Sequence, residues 1–569
     1  MVQHQRAFPL HPPAAERNSP LRASLARCFS RDRLRVGAIV ALLALWPWLG
    51  LFGREPWKPD EAYTFGLVWS MLQGKGLVVP LLAGEPFLEK PPLFYWVAAG
   101  LAQAFRGVLP VHEGARLAIP LFTYVALGCL TATARELYGN KRCVLAAVLF
   151  IGSLGVFDKL HLLVTDVALV AGMSMALLGF ALGRRRPVLG GILLGLGAGI
   201  AFLSKGLLGP GVIVSTLIVL LFFRSWRSLR NGRLLGAATV VALPFLLLWP
   251  LALYVQSPQL FSIWFWDNNV GRFFGLVRLG QAHGAWFYPL TLLWFAFPLW
   301  VFAIRAAAAA TRRRAGSPAL VLPMAALGVM LAILMSAHQS RALYALPIML
   351  PLALLALPGL DRAPREWAAW LQHGSCVIFV GVAGLLWILW LSAVSGFPDS
   401  TAIFLSEREP GFVSAFSPIA FASAALLTML FWLIARDSRP TPANAICTWA
   451  AGLATVWGLL TTLWLPYLDY GMAYRSVAAS LQQALPRDAS CVASTGLGEP
   501  QRAMLDYYDE LITRRMEADP AARECAWMIV QQLGPAARNP DASWEVVWKG
   551  SRPGDTRETL TLLHKTGAG

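Results

Sequence analysis

The sequence predicts a mainly α-helical, polytopic membrane protein with about 13 transmembrane helices and a small C-terminal α/β domain. Three observations predict this class: 57% of the 569 residues are hydrophobic, only 14% are charged, and the mean hydropathy is +0.56. A soluble surface carries roughly a quarter charged residues, so a chain of several soluble domains is excluded. The same composition excludes a disulfide scaffold, a coiled coil and a disordered protein.

The net charge of +17 follows membrane topology rather than nucleic-acid binding. Residues 470–569 contain 11 Lys/Arg and 12 Asp/Glu, whereas the apolar remainder contains 37 bases and 19 acids. An excess of bases beside apolar segments is typical of cytoplasmic loops in membrane proteins. No nucleic-acid partner is therefore expected, and the partners implied by the composition are membrane lipids.

Each spanning helix needs about 20 apolar residues. The short apolar segment Pro91–Phe105 is ambiguous, and the basic clusters near 135–142, 184–186, 224–233, 305–314, 362–365 and 436–439 share one side only if it does not cross. It is therefore predicted as an interfacial helix. Thirteen other segments are predicted to span: Leu34–Gly53, Ala115–Ala134, Cys143–Phe157, Val167–Leu182, Val188–Leu203, Leu208–Phe223, Leu234–Leu253, Pro289–Ala303, Ala319–Met335, Ala342–Pro358, Cys376–Val394, Ala415–Ile434 and Ile446–Leu465.

This topology predicts three regions. Residues 1–33 form a basic cytoplasmic tail before a signal anchor, 34–468 form the transmembrane domain, and 469–569 form an outer domain, which lies in the periplasm if the cell is Gram-negative. Helix-like runs over Ser476–Leu485 and Gln501–Met516 alternate there with strand-like runs over Cys491–Ser494 and Cys525–Gln531, followed by a hairpin across Gly550–Asp555. Cys491 and Cys525 either pair in this compartment or stay free.

Ionisable residues at membrane depth are costly and usually mark function. Carboxylates can deprotonate or orient a nucleophile, while Lys and Arg can hold a phosphate and stabilise it as it leaves. Apolar helices beside them can hold a lipid tail, so the combination predicts group transfer from a lipid phosphate. The polar residues on the predicted outer side include Asp60, Glu61, Tyr63, Glu89, Lys90, Asp158, Asp166, Lys205, Arg272, Arg341 and Tyr344.

Most of these residues also have a structural interpretation. Asp60 and Asp166 are candidates for helix N-caps, Lys205 for a lysine that reaches the interface, and Glu89–Lys90 for a solvated pair. Arg272 and Arg341 are equally interpreted as ordinary loop charges. No His/Cys spacing typical of a metal site is present, and Ser-His-Asp, P-loop and Rossmann signals are absent.

Motifs over about residues 55–360 resemble a known family. The run PDEAYTFGLVWSML…LLAGEPFLEKPPLFYW is similar to the first outer loop of bacterial lipid-carrier-dependent glycosyltransferases. These are GT-C enzymes of the protein O-mannosyltransferase superfamily, which includes the 4-amino-4-deoxy-L-arabinose transferase of lipid A. The resemblance continues through TDVALVAGMSMALLGF, FLSKGLLG, NNVGRFFG and SRALYALPIMLPLALLALP. It implies a GT-C fold with thirteen membrane helices and interfacial helices in the first outer loop.

The resemblance also implies residue roles. Asp60 matches the catalytic acid of the first loop, with Glu61 beside it, and Asp166 resembles the second-loop aspartate, with Asp158 as a competing assignment. Glu89 and Lys90 match a pair near the donor phosphate, and Lys205, Arg272 and Tyr344 match positions that line the donor site. Tyr63 and Arg341 complete the substrate-binding candidates.

Two departures bear on the sugar more than on the reaction. The aminoarabinose enzymes usually read DEARY where this chain has DEAYT, and their late Lys-x-x-x-Tyr is replaced by Arg341-Ala-Leu-Tyr344.

The predicted function is transfer of a sugar, such as 4-amino-4-deoxy-L-arabinose, from a polyprenyl (undecaprenyl) phosphate to lipid A or another acceptor on the outer face. No cofactor is required, and a divalent metal is compatible with the chemistry but not predicted. A flippase of lipid-linked sugars and a non-catalytic assembly factor are the alternatives.

Overall fold

The computed structural model describes residues 33–277, 284, 286–312, 318–436, 439–533 and 543–566. The predicted cytoplasmic tail lies almost entirely outside these residues. Helices dominate the membrane part, where they are, in chain order: Arg33–Leu45, Asp60–Leu72, Leu93–Ala104, Val111–Arg116, Ala118–Tyr138, Cys143–Ile151, Asp166–Gly183, Pro187–Lys205, Leu208–Leu221, Gly232–Gln256, Pro258–Ser262, Arg272–Phe274, Phe287–Phe295, Leu299–Arg312, Pro318–Ser336, Met349–Leu360, Arg365–Ser395, Asp399–Arg408, Pro418–Ala435, Pro442–Leu460 and Leu465–Met472.

The described residues contain nine helices that are long and apolar enough to cross a membrane, and each coincides with a predicted span. Two more predicted spans form bent helix pairs, with bends of 67° after Ile151 and 108° after Phe295. The last two, Arg33–Leu45 and Leu208–Leu221, have 13 and 14 residues, which is about 20 Å at 1.5 Å per residue. A multi-pass membrane protein is thus confirmed, and the count of thirteen spans stays a prediction.

The first loop, residues 54–114, lies between the first two predicted spans. It contains the Asp60–Leu72 helix, a short hairpin of strands β1 (Leu81–Leu82) and β2 (Glu85–Pro86), and the Leu93–Ala104 helix. The last of these has 12 residues, about 18 Å of helix, which is shorter than the roughly 30 Å bilayer core. This length agrees with the prediction that the segment Pro91–Phe105 does not cross.

The basic segments lie together on one face of the molecule. Arg185 pairs with Glu136, Arg142 pairs with Asp361, and Arg305 donates to the Arg362 carbonyl. Arg184 stacks on Trp226, and buried Arg35 reaches the Ile434 carbonyl and the Asn444 side chain. Each contact joins two loops, or a helix end and a loop, that the charge pattern assigned to the same side.

The C-terminal domain is an α/β unit. Its elements are the helices Arg475–Ala484 and Glu499–Asp509 and the strands β3 (Val492–Thr495), β4 (Arg514–Arg515), β5 (Trp527–Leu533), β6 (Trp544–Gly550) and β7 (Glu558–Lys565). The sheet has the strand order β4–β3–β5–β7–β6, in which β3 is parallel to both of its neighbours and β7 is antiparallel to β5 and β6. The predicted hairpin across Gly550–Asp555 is confirmed.

Two details of this domain bear on the sequence predictions: one shortens a predicted helix, and the other decides whether two cysteines pair. The predicted helix over Gln501–Met516 is too long, because Glu510 adopts a left-handed conformation (φ 51°) that ends the helix before β4. Cys491 and Cys525 precede the adjacent parallel strands β3 and β5, so the ladder brings them together, and they form a disulfide. The alternative that both stay free is therefore not what the structure contains.

Candidate active site

Asp166 and Lys205 meet because two antiparallel helices pack closely. Asp166 is the first residue of one helix and Lys205 is the last residue of the next. Their glycines allow backbone contact, since a Cβ on Gly172 would lie 2.8 Å from the Gly197 carbonyl oxygen. Lys205 Nζ donates to both carboxylate oxygens of fully buried Asp166, at 2.7 and 2.8 Å.

Arg272 joins three separate parts of the chain. Its guanidinium pairs with Glu89 of the first loop at 3.1 Å and donates from Nε to Gln339 Oε1 at 2.7 Å. The guanidinium of Arg272 also donates to the Tyr344 hydroxyl over a longer distance of 3.4 Å. Lys205 Nζ lies over the ring of the same tyrosine, 4.4 Å from its centroid. A π-helical segment, Ile263–Gly271, precedes Arg272, and such segments recur at functional sites.

Lys90 lies beside this group as a buried cation. Its Nζ donates to the Tyr63 hydroxyl at 2.6 Å. Burial by itself lowers the pKa of Lys90, but Tyr63, Tyr95 and Glu89 raise it well above the ordinary value. For Glu89 burial raises the pKa, while Lys90 and Arg272 outweigh that effect and lower it. Both side chains are therefore ionised at neutral pH.

Glu89, Lys90, Lys205, Arg272 and Tyr344 all line a cavity of about 360 Å³. Lys90, Lys205 and Arg272 bring three positive charges to the lining, whereas Glu89 in the lining and Asp166 behind Lys205 bring two negative ones. The excess of one cation suits a phosphate. The rest of the lining is mostly apolar, and Leu208, Ile333, Leu334 and Tyr344 also line a smaller adjoining pocket. The cavity therefore fits a molecule with an anionic head and a hydrocarbon tail.

Asp60 lies next to the cavity without lining it. It is the first residue of the Asp60–Leu72 helix, and the N-cap position belongs to Pro59, so the capping interpretation does not describe its role. Its carboxylate pairs with Arg341 at 3.3 Å. Gln339 and Tyr344 flank Arg341 in the sequence and both line the cavity, so this pair places the Asp60 carboxylate near the cavity lining.

The sequence also offered Glu61, beside Asp60, and Asp158, as a competitor of Asp166. The structure places both of these acids outside the cavity lining. Glu61 is 1% exposed and held between Arg54 and Arg116, away from the cavity lining. Burial raises its pKa, but Arg116 and Arg54 overcome this and lower it to about 2. Glu61 is therefore an ion-pair partner of two arginines outside the cavity lining, and its catalytic role stays a prediction.

Asp158 also lies outside the cluster. It pairs with the adjacent Lys159 at 2.6 Å, and its side chain is 37% exposed. Asp166, in contrast, is buried against a lysine that lines the cavity. Of the two second-loop aspartates, Asp166 is the one that the fold brings to the site.

Sequence reasoning did not single out three residues that hold the cavity lining or the first loop in place. Gln339 lines the cavity and orients Arg272. Asn269 accepts from the Leu207 amide at 3.1 Å and covers Gly206, whose positive φ of 66° turns the chain directly after Lys205. Arg116 binds Glu61 and the carbonyls of Leu51, Arg54 and Glu55. The adjacent Asn-Asn pair three residues before Arg272 was the available signal for Asn269.

Comparisons with known proteins agree with this geometry. A family model described as dolichyl-phosphate-mannose-protein mannosyltransferase matches residues 89–249. Two undecaprenyl phosphate-α-4-amino-4-deoxy-L-arabinose arabinosyl transferases are similar, one from Pseudomonas paraeruginosa at 28% identity and one from Pseudomonas aeruginosa at 29%. Each alignment covers 73% of this chain and 73% of the relative.

Solved structures show the same fold. The crystal structure of ArnT from Cupriavidus metallidurans bound to undecaprenyl phosphate superposes with a TM-score of 0.67, covering 93% of this chain and 97% of that one at 17% identity. Its apo form superposes with a TM-score of 0.66. The chain thus has the fold of the GT-C membrane glycosyltransferases, and the resemblance seen in its motifs is confirmed. Among them, its similarity is to the aminoarabinose transferases.

Proposed function

We propose that this protein transfers a sugar from an undecaprenyl phosphate carrier to a lipid acceptor. The observation that carries the proposal is that Lys90, Lys205 and Arg272 line one cavity whose remaining lining is mostly apolar. The phosphate of the carrier would contact the three cations, and the first isoprene units would follow the apolar wall. The similarity to aminoarabinose transferases supports 4-amino-4-deoxy-L-arabinose as the sugar and lipid A as the acceptor.

The reaction is a direct displacement at the anomeric carbon of the sugar. An oxygen of the acceptor forms the new glycosidic bond while the bond to the carrier phosphate breaks, and the electron pair of that bond leaves on the phosphate oxygen. Lys90, Lys205 and Arg272 stabilise the added negative charge, which is larger in the transition state than in the bound donor. Direct displacement inverts the anomeric configuration.

Asp60 is the acid–base residue of this proposal. It lies beside the cavity and is paired with Arg341, so its carboxylate can orient an incoming acceptor and take a proton from it. Arg341 can in turn hold an anionic group of the acceptor once that group replaces Asp60 as its partner. Asp166 serves the reaction indirectly by holding Lys205 in position.

The proposed orientation follows the basic face. Because positively charged loops stay in the cytoplasm, we infer that the face with Arg142, Arg185 and Arg305 is cytoplasmic and that the chain resides in the bacterial inner membrane. The site and the C-terminal domain then lie on the periplasmic side, where lipid A precursors are accessible. Residues 1–33, 34–468 and 469–569 keep their predicted roles as tail, catalytic domain and periplasmic domain.

The decisive experiment uses the purified protein in proteoliposomes with undecaprenyl phosphate-linked aminoarabinose and lipid A. The wild type should form modified lipid A, and Asp60→Ala should form none while still binding undecaprenyl phosphate. An active Asp60→Ala variant would refute the role of Asp60. Movement of the labelled donor across the bilayer without product would favour a flippase instead, and absence of both activities would favour an assembly factor.

A further inference from the structure

The C-terminal domain touches the first loop directly before each of its two site segments. We propose that this domain is a positioning element of the active site, which holds the first loop at Lys58, two residues before Asp60, and at Glu85, four residues before Glu89. The proposal rests on the proposed function, since it assigns the domain a task in the same reaction. Three contacts between the C-terminal domain and the first loop, which share no residue, support this role.

The first contact holds the segment before Asp60. Lys58 Nζ donates to Asp555 Oδ2 at 3.0 Å and to Glu558 Oε2 at 3.2 Å. Asp555 lies in the turn between β6 and β7, and Glu558 is the first residue of β7. Both carboxylates are about nine-tenths buried. They are fixed in turn, because Arg552 pairs with Asp555 and Tyr474 donates to Glu558. Lys58 of the first loop is therefore bound by two carboxylates, Asp555 and Glu558, that other side chains of the domain hold in place.

The same segment is also held through its backbone. Asp469, the first residue of the C-terminal domain, accepts from the Glu55 amide and from the Trp57 indole, both at 2.8 Å. The loop between Glu55 and Lys58 is thus pinned at both ends. Since the helix begins at Asp60, two residues later, its first carboxylate has little freedom to move.

The second contact holds the segment before Glu89 and Lys90. Glu85 Oε2 accepts from Arg502 at 2.8 Å and from Arg515 at 3.0 Å, and these arginines lie on the Glu499–Asp509 helix and on β4. Glu85 belongs to the β1–β2 hairpin, whose turn at Ala83–Gly84 has positive φ at both residues. Residues 87 and 88 are both 6% exposed, so the short connection to Glu89 is packed and transmits the position of the hairpin.

The third contact joins the two helices that carry these elements. The Glu499–Asp509 helix packs on the Asp60–Leu72 helix so closely that a Cβ on Gly66 would lie 2.6 Å from Ala503 Cβ. The domain therefore contacts the first loop through a close helix pair between its two ionic contacts. A misplacement of about 1 Å at a reacting group can cost on the order of a hundredfold in rate, so such contacts suit a positioning role.

Two variants of the full-length protein test the proposal by giving different kinetic signatures. Lys58→Met should lower kcat about tenfold, with the KM for undecaprenyl phosphate-linked aminoarabinose within about twofold, because it loosens Asp60. Glu85→Gln should instead raise that KM and the dissociation constant of undecaprenyl phosphate about fivefold, because it loosens Lys90 and Glu89. Lys58→Arg, which keeps the charge, should restore most of kcat.

The control is Glu136→Gln, which removes an ion pair with exposed Arg185 on the opposite face and should leave all three quantities unchanged. Wild-type kinetics in both Lys58→Met and Glu85→Gln would overturn the positioning role while the proposed function stood. If either variant fails to fold, Asp555→Asn or Arg515→Gln removes the same contact from the side of the C-terminal domain. If the wild type makes no product but binds undecaprenyl phosphate more tightly than Glu85→Gln does, the proposed function is refuted and the second contact is still supported.

Discussion

Lys205 holds Asp166 by donating to both of its carboxylate oxygens, at 2.7 and 2.8 Å, at the point where two glycine-rich helices meet. Asp166 is fully buried, whereas Lys205 lines the cavity. The aspartate thus balances most of the lysine's charge and fixes its direction, while the lysine itself stays available to a ligand. This contact distinguishes Asp166 from Asp158, between which the sequence leaves the second-loop assignment open.

We expect Asp166→Asn to lower the rate of sugar transfer at least about tenfold, because Lys205 loses the partner that orients it. The measurement is the initial rate with labelled donor in proteoliposomes. Asp158→Asn serves as the matched comparison, since Asp158 pairs only with its neighbour Lys159 among the described residues. It should keep at least about half of the wild-type rate, by the usual small effect of an exposed pair. The reverse order of effects would assign the second-loop role to Asp158.

Arg272→Gln should weaken binding of undecaprenyl phosphate about tenfold, which corresponds to roughly 1.4 kcal/mol. The substitution removes a cation that lines the cavity and its contacts with Glu89 and Gln339. The dissociation constant is measured by titration of the detergent-solubilised protein. Lys75→Gln is the control, because Lys75 lies in the same loop but is exposed and does not line the cavity. Equal affinities in both variants would contradict a phosphate site at Arg272.

Gly66→Ala should destabilise the protein by about 1–3 kcal/mol, the usual cost of overpacking. The added methyl would lie 2.6 Å from Ala503 Cβ, and the helices must then separate. Adding Ala503→Gly removes that clash and should restore most of the loss, as measured by denaturant unfolding. Gly100→Ala, in a helix position with no neighbouring atom within 4 Å, should be neutral or slightly stabilising. A stable Gly66→Ala variant would refute the close packing.

Glu61 should make stability depend on pH in acid. Its folded-state pKa is about 2 against an ordinary value of 4.5, since the Arg116 and Arg54 charges outweigh the opposing effect of burial. A depressed pKa contributes stability that is present above pH 4.5 and is lost as the pH falls toward 2. Wild-type melting temperature should therefore fall between pH 4.5 and 2.5, and this fall should be shallower in Glu61→Gln.

The control for this pH dependence is Glu136→Gln, which removes a carboxylate paired with exposed Arg185. Its melting curve should follow the wild type over the same range, because exposed ion pairs contribute little. Parallel pH profiles for Glu61→Gln and the wild type would show that the buried pair does not couple to unfolding.

The sequence by itself determined the class of fold and most of the site. Apolar length located every long helix, since a bilayer core demands about 20 apolar residues wherever the chain crosses. Charge asymmetry predicted which loops share a face, and the ion pairs between those loops agree. The motifs around Glu89, Lys205 and Arg272 identified residues that lie far apart in the sequence and line one cavity in the structure.

Only the tertiary structure decided which of two neighbouring acids faces the site. Asp60 and Glu61 are consecutive and chemically alike, and a helix turns successive side chains about 100° apart, so one faces Arg341 while the other faces Arg54 and Arg116. The contacts of Lys58 and Glu85 with the C-terminal domain likewise join residues more than 400 positions apart. No local pattern encodes such pairs, because they arise where separately folded segments pack against each other.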